Sequence, residues 1–548
     1  MSSIPRPQRW DRPFDENLSD DDVARLLAFP AFADIDAARF PDQIPLDGIV
    51  RNDARLLRFT PGEVVVREGD YGNSAFLVLD GTVSVVLAPG LPASMLGRSS
   101  SRRRGFGSAL SQLWRNRNDV SEVRVLNRRA QAGGASQGPG GTVVEIDRVK
   151  ETNSTVQLGT GRIFGEIAAL ARGPRTATVI ADSNATLLEI RWQGLRELRR
   201  FDAGWRERID RTYRANALKV HLGEDPLFAG LPAEALEKVA AATLFETYGS
   251  LDWNVQFKRK SGAESRDVPP IVSEGDYPDG LLMIRGGFAR VTRHIGNGER
   301  SLTYLSAGSS FGLDELYRMW RGEPDIALRA SLAPLGYVDV LRVPYFILVE
   351  HVFPNLTEAP RDNLHEAYER PLTDDSLMEW AIDERFINGT RTMMIDLDRC
   401  VRCDDCVRAC ASTHGGNPRF IRHGKQHDHW MVSNACMHCI DPVCMIGCPT
   451  GAIHRDQATG MVVINDDSCI GCQTCANSCP YDNIRMVEIR NPLGDIIADT
   501  DTGRPILKAT KCDFCYEQPG GPACVRACPH DALSRISFAE LTKLAALR

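Results

Sequence analysis

"REGDYGNSAFLVLDGTVSVV", residues 67–86, returns in altered form as "SEGDYPDGLLMIRGGFARVT", residues 273–292. Each copy sets Glu-Gly-Asp-Tyr before an alternating apolar run, then a glycine turn, then a second run. That is the pattern of antiparallel strands with one buried face. Both copies then reach a Phe-Gly pair, Phe164-Gly165 and Phe311-Gly312. Such a repeat predicts two copies of one β-rich domain.

The copies differ in length. Glu68 to Phe164 is 96 residues and Glu274 to Phe311 is 37, so the first copy carries about 59 more. The excess has its own composition: residues 98–129 hold nine Arg against one Asp and one Glu, and "AGGASQGPGG" follows at 132–141. This predicts a basic, Gly-rich surface insertion at about 89–150. A sharper alternative is a docking arm for an acidic partner, a membrane face or nucleic acid.

The 548 residues carry a net charge of −7, which argues against the whole chain being a nucleic-acid binder. The start, "MSSIPRPQRWDRPFDENLSD", has no apolar core and no twin arginine, so no export signal is expected. No apolar run reaches the roughly 18 residues of a membrane span. A cytoplasmic location is the expectation.

After the first repeat strands comes "GRIFGEIAALARGPRTATV", residues 161–179. It combines three features that suit a cyclic phosphate. Glycine allows close backbone approach at a helix start, a carboxylate can accept from a ribose hydroxyl, and a guanidinium can grip an anion in a bidentate fork. These residues resemble the phosphate-binding cassette of the cyclic nucleotide-binding domain family, as in protein kinase A regulatory subunits, nucleotide-gated channels and the catabolite activator protein. The resemblance implies a β-roll capped by helices. It implies that Glu166 meets the ribose 2′-hydroxyl and Arg175 the phosphate, with backbone from Gly165 and Ile167 and a hydroxyl from Thr176. Cyclic AMP and cyclic GMP both stay open. In the second copy Leu313 falls where Glu166 falls, and counting back from "TLLEI" and "GYVDV" sets Asp325 opposite Arg175. The second copy is therefore expected to bind no nucleotide.

All 16 cysteines lie between Cys400 and Cys528, in four groups of four. They are Cys400, Cys403, Cys406, Cys410; Cys436, Cys439, Cys444, Cys448; Cys469, Cys472, Cys475, Cys479; and Cys512, Cys515, Cys524, Cys528. The third group is C-x2-C-x2-C-x3-C-P, a bacterial run for iron–sulfur clusters. Zinc is the main alternative, but it usually takes two C-x2-C knuckles with a longer gap, and groups one and three are too tight for that. His414, His423, His427, His429 and His438 lie in or near this segment, and none is singled out as a ligand.

The order and spacing of the four groups resemble the four-cluster iron–sulfur subunits of the dimethyl sulfoxide reductase family. "CMHCIDPVC" and "KCDFC" with "PACVRACPHDAL" carry the likeness. It implies four [4Fe–4S] clusters in crossed sets. One takes Cys400, Cys403, Cys406 and Cys528. A second takes Cys512, Cys515, Cys524 and Cys410. A third takes Cys436, Cys439, Cys444 and Cys479. The fourth takes Cys469, Cys472, Cys475 and Cys448.

The expected fold is α+β and multidomain. A first nucleotide domain spans 1–220 and a second, degenerate one 221–352. A helical connector spans 353–390 and a poly-ferredoxin-like domain 391–548. No nucleophile or acid–base pair stands out, so the expected role is a non-catalytic electron-transfer subunit of an oxidoreductase. Its partners would be a flavin-, molybdenum/tungsten- or NiFe-dependent catalytic subunit and a further electron donor or acceptor. The rival readings are a redox and second-messenger sensor, and a docking protein whose nucleotide domains are scaffold only.

Overall fold

The structure, a computed structural model, describes residues 2–86, 144, 149–150, 155–171, 173–209, 211–212, 222, 225–228, 230–249, 253–259, 269–295, 298–356, 359–360, 364, 376–491, 493–516, 518 and 520–538. Apart from Val144, Val149 and Lys150, the expected insertion at about 89–150 lies outside the described residues.

The chain forms two compact units: Met1–Thr212 together with Asn388–Arg548, and Tyr213–Ile387. The first repeat and the cysteine-rich segment, expected as separate domains, each keep their own core, and contacts distant in sequence hold both in one compact unit.

The first repeat folds as two four-stranded antiparallel sheets. One runs in the order Ala54–Phe59, Ala185–Arg191, Ser74–Asp80, Ile163–Phe164. The other runs Val64–Val66, Thr178–Ala181, Val83–Val86, Thr155–Leu158. The inward residues, Val65, Phe76, Val78, Val83, Phe164, Val179 and Leu187 among them, form the core between the sheets. A second core lies under the flanking helices, where Ile49, Leu195, Leu198 and Trp205 meet Leu77 and Leu188. Helix Asp20–Leu27 begins with a capping box between Ser19 and Asp22, which satisfies two of its free N–H donors. Helix Trp192–Phe201 follows directly on strand Ala185–Arg191.

The cysteine-rich part has little regular structure beyond short ladders. A four-stranded sheet runs Ile421–His427, Trp430–Asn434, Thr392–Asp396, Leu533–Ile536. Two hairpin-like pairs join Ile453–Arg455 to Val462–Ile464 and Ile484–Glu488 to Leu507–Lys511. Cysteine side chains make up much of its core, beside Met393, Phe420, Met431, Ile453, Val462 and Ile484. The N-terminal strand Ser2–Ile4 lies parallel to Ile497–Asp499 of this part.

In the other unit the second repeat pairs Leu244–Gly249, Ser331–Pro344, Gly280–Ile295 and Gly298–Ser306 in that order. Its register repeats the first copy: Leu282 pairs with both Phe311 and Arg342, as Phe76 pairs with both Phe164 and Glu189.

Candidate iron–sulfur centres and nucleotide pocket

In the first repeat, Gly165 takes a left-handed conformation (φ 76°) and turns the chain into helix Glu166–Ala171. Ile167 lies in the first turn of that helix. Glu166 is buried at its start, and Arg175, also buried, arrives from the following loop. Arg175 Nη1 donates to the carbonyls of Ser74 (2.8 Å) and Gly165 (2.7 Å), and Nη2 donates to Ser74 Oγ at 3.2 Å. Ser74 Oγ in turn donates to Glu189 at 2.6 Å, and Arg55 pairs with Glu189 at 2.5 Å. Burial pushes the Arg175 guanidinium down to about 10, against the pull of Glu189, Glu166 and Asp70. Thr176 sits half-buried just beyond. The structure thus gathers Gly165, Glu166 and Arg175, with Ser74 and Glu189 as members that the motif alone did not reveal.

The second copy corrects one sequence expectation. Two backbone bonds bracket Arg175: Gly69 N–H to its carbonyl and its own N–H to the Asp70 carbonyl. The same two bonds bracket Leu328, through Gly275 and Asp276. Leu328, not Asp325, therefore stands in the place of Arg175. Counting back from the closing strands matches them three residues out of register: pairing sets Glu189 opposite Phe76 and Arg342 opposite Leu282, so Arg342, and not Asp339, is the counterpart of Glu189. Asp325 is exposed in that loop, whereas Leu328 and Leu313 are buried in apolar surroundings. Neither a ribose acceptor nor a phosphate cation is present at those positions.

The cysteines of the other part of the unit gather as crossed sets. One cavity is lined by Cys400, Cys403, Cys406 and Cys528. A second is lined by Cys436, Cys439, Cys444 and Cys479. A third is lined by Cys448, Cys469, Cys472 and Cys475. Cys410, Cys512, Cys515 and Cys524 lie close enough to act on one another electrostatically. Burial pushes the Cys406 thiol up to about 11 and the Cys475 and Cys524 thiols up to about 12. It carries Cys439 and Cys444 well above the ordinary thiol range, and neighbouring thiols add to the push.

Several thiols accept hydrogen bonds, among them Cys410 from Arg419 N–H (3.2 Å), Cys528 from Ala532 N–H (3.3 Å) and Cys512 from Arg535 Nη2 (3.0 Å). His414 Nε2 lies 3.1 Å from Asp513 Oδ1, and Arg419 pairs with Asp513 at 2.8 Å. Burial alone would raise the Asp513 carboxyl; His414 and Arg419 outweigh it and hold the group below its usual range. Burial, reinforced by Lys511 and Arg535, holds His438 well below the ordinary imidazole range. Neither of its ring nitrogens finds a partner among the described residues.

These features fit an iron–sulfur group. Each cavity offers four soft donors, with largely apolar walls. Coordination is what removes protons from such buried thiols. The N–H donors point at thiol sulfur, where a reduced cluster accumulates negative charge.

The two sites meet within the unit. The turn of the hairpin Ile453–Ile464 lies on the loop 70–74 of the first repeat. Tyr71 N–H donates to the Gln457 carbonyl at 3.1 Å, and Asn73 Nδ2 donates to the Arg455 carbonyl at 3.4 Å. The Arg455 guanidinium stands 5.2 Å from the centre of the Tyr71 ring. A Cβ at Gly460 would fall 2.3 Å from that ring. On the inner side of the same loop, a Cβ at Gly72 would fall 2.1 Å from Arg175 Nε. Arg191 Nη1 also donates to the Thr450 carbonyl at 3.4 Å. Thr450, Ile453 and Ile464 all line the cavity of Cys448, Cys469, Cys472 and Cys475. The sequence offered a faint signal for this contact, since both repeats carry the tyrosine. Tyr277 in the second copy is 67% exposed, while Tyr71 is half-buried.

A cyclic nucleotide-binding domain model matches residues 141–200, and a 4Fe-4S dicluster domain model matches residues 427–537. Electron transport protein HydN of Escherichia coli is 32% identical over 168 residues, 28% of this chain and 93% of HydN. Protein NrfC of Escherichia coli is 37% identical over 164 residues, 27% of this chain and 66% of NrfC. Among solved structures, the regulatory domain of Toxoplasma gondii protein kinase A with cAMP aligns with 61% of this chain and 93% of its own, at 16% identity and a TM-score of 0.20. Among the described residues no helix is long and apolar enough to cross a membrane.

Proposed function

Because the chain belongs to the iron–sulfur electron-transport family that includes HydN, we propose that it relays single electrons through four [4Fe–4S] clusters under the control of a cyclic nucleotide. The observation that carries the cluster part is the crossing of the cysteine sets. Cys528 joins the first group, Cys479 the second and Cys448 the third, each in a cavity of its own. Bound clusters would supply one-electron carriers at close range. The chain's own residues hold the sulfurs, exclude water and place N–H donors at Cys410, Cys512 and Cys528. The partner would be a catalytic oxidoreductase subunit, in a cytoplasmic complex. An iron and acid-labile sulfide assay on the anaerobically purified chain tests this: about 16 of each per chain is expected. About four metal ions with no sulfide would replace this reading by zinc.

Control by nucleotide is supported by the layering at loop 70–74. A cyclic phosphate at Arg175 would take N–H donors now given to Ser74 and Gly165. The loop carries that exchange outward to the hairpin whose flanks line a cysteine cavity. A coupling of about 1–3 kcal/mol would suffice. Titration calorimetry with cyclic AMP and cyclic GMP tests it, with Arg175→Ala as the control that abolishes the heat.

The same three hydrogen bonds favour a second reading, in which Arg175 is a structural clamp and the first repeat only docks the cysteine-rich part. Absence of heat with either nucleotide would select it.

A further inference from the structure

His438 lies between Cys436 and Cys439, and only 1% of it is exposed. An imidazole carries at least one N–H in every protonation state. Neither ring nitrogen of His438 is hydrogen-bonded within the described residues, and buried donors are rarely left so. Its φ of 50° is the left-handed value found at the same place in each Cys-x-x-Cys turn, at Arg402 (60°), Gly471 (68°) and Phe514 (61°), so the turn itself sets where the ring stands. Its carbonyl accepts from Thr390 Oγ1 at 2.7 Å, which fixes the turn.

The ring also has a definite address. It stands edge-to-face with Phe514, centroids 6.3 Å apart. Phe514 belongs to the Cys512–Cys515 knuckle, as His438 belongs to the Cys436–Cys439 knuckle. Cys436 and Cys512 are near enough to act on each other electrostatically. His438 therefore sits where the Cys436 and Cys512 sets adjoin.

We propose that His438 donates a ring N–H to a cluster sulfur at the junction of the Cys436 and Cys512 knuckles, and that it is a positioning residue setting the reduction potential there. The proposal rests on the reading that these cysteines hold clusters. An N–H aimed at sulfur stabilises the reduced, more negative cluster and raises its potential.

The test uses the full chain, reduced with dithionite and labelled with 15N-histidine. Pulsed EPR should show coupling between a histidine ring nitrogen and one reduced cluster. His438→Leu should abolish that coupling and move one midpoint potential lower, leaving the others in place. His438→Asn, which keeps an N–H, should recover part of the shift. Should the leucine variant fail to take up iron, the coupling is read in a background where His414, beside Cys410, and His530, in the lining of the Cys528 cavity, are both replaced by leucine. No nitrogen coupling, or four unchanged midpoints in an iron-replete leucine variant, overturns the proposal. A chain lacking iron and sulfide overturns the cluster reading as well, so the two failures are distinguishable.

Discussion

Tyr71 and Gln457 are joined by a backbone hydrogen bond of 3.1 Å, although one belongs to the nucleotide-type β-roll and the other to the cysteine-rich part. The bond runs within one compact unit, with Gly460 under the tyrosine ring and Gly72 under the loop. Any side chain at Gly460 must displace that ring, and its φ of 69° adds backbone strain. Gly460→Val is expected to cost about 1–3 kcal/mol. Differential scanning calorimetry should show a lowered Tm, and limited proteolysis should cut between the two parts sooner than in the parent chain.

Cys528 shares its cavity with Cys400, Cys403 and Cys406, and its own sequence group lies elsewhere. Cys528→Ser and Cys403→Ser should therefore extinguish the same EPR signal. Cys512→Ser should extinguish a different one. Loss of a common signal in Cys528→Ser and Cys512→Ser would show that the crossing is wrong.

Leu328 is buried where the second copy has its counterpart of Arg175, and Asp325 is exposed at φ 53°. Leu328→Ala should destabilise the second unit by about 2–5 kcal/mol through the cavity it leaves. Asp325→Gly should stay within about 1 kcal/mol of the parent, since it removes an exposed side chain and relieves a left-handed residue. Urea unfolding of the two variants checks both values.

Iron removal should be felt well beyond the cysteines. The first repeat and the cysteine-rich part lie in one unit, so chelation under reducing conditions should lower the Tm of the nucleotide-type β-roll too. Two independent transitions, with the β-roll unmoved by chelation, would contradict this.

What could be read from the sequence follows what leaves a local mark. The alternating runs before Gly81 and Gly287 marked strands, and the cysteine spacings marked the four groups, because both patterns live within a few residues; the crossing of the groups into sets came only from the resemblance to four-cluster subunits. The counterpart of Arg175 in the second copy is misplaced by counting because the closing strands look alike in a register three residues away from the one that backbone pairing sets. Ser74 and Glu189 around Arg175 were invisible because the pleat brings them together across strands. The seat of Tyr71 on the hairpin turn depends on shape complementarity between distant segments, which no window of sequence contains. His438 was legible as one of several histidines, and only burial without a partner set it apart.

The parallel pairing of Ser2–Ile4 with Ile497–Asp499 has a consequence for synthesis. Strand Ser2–Ile4 cannot find its partner until nearly 500 further residues have been made. Meanwhile the unit Tyr213–Ile387 is contiguous and can collapse on its own while the opening segment waits. Such long-range closure is slow, and the waiting edge is exposed to wrong partners. Maturation should therefore be limited by a late joining step, and the yield should fall when strand Ser2–Ile4 is deleted.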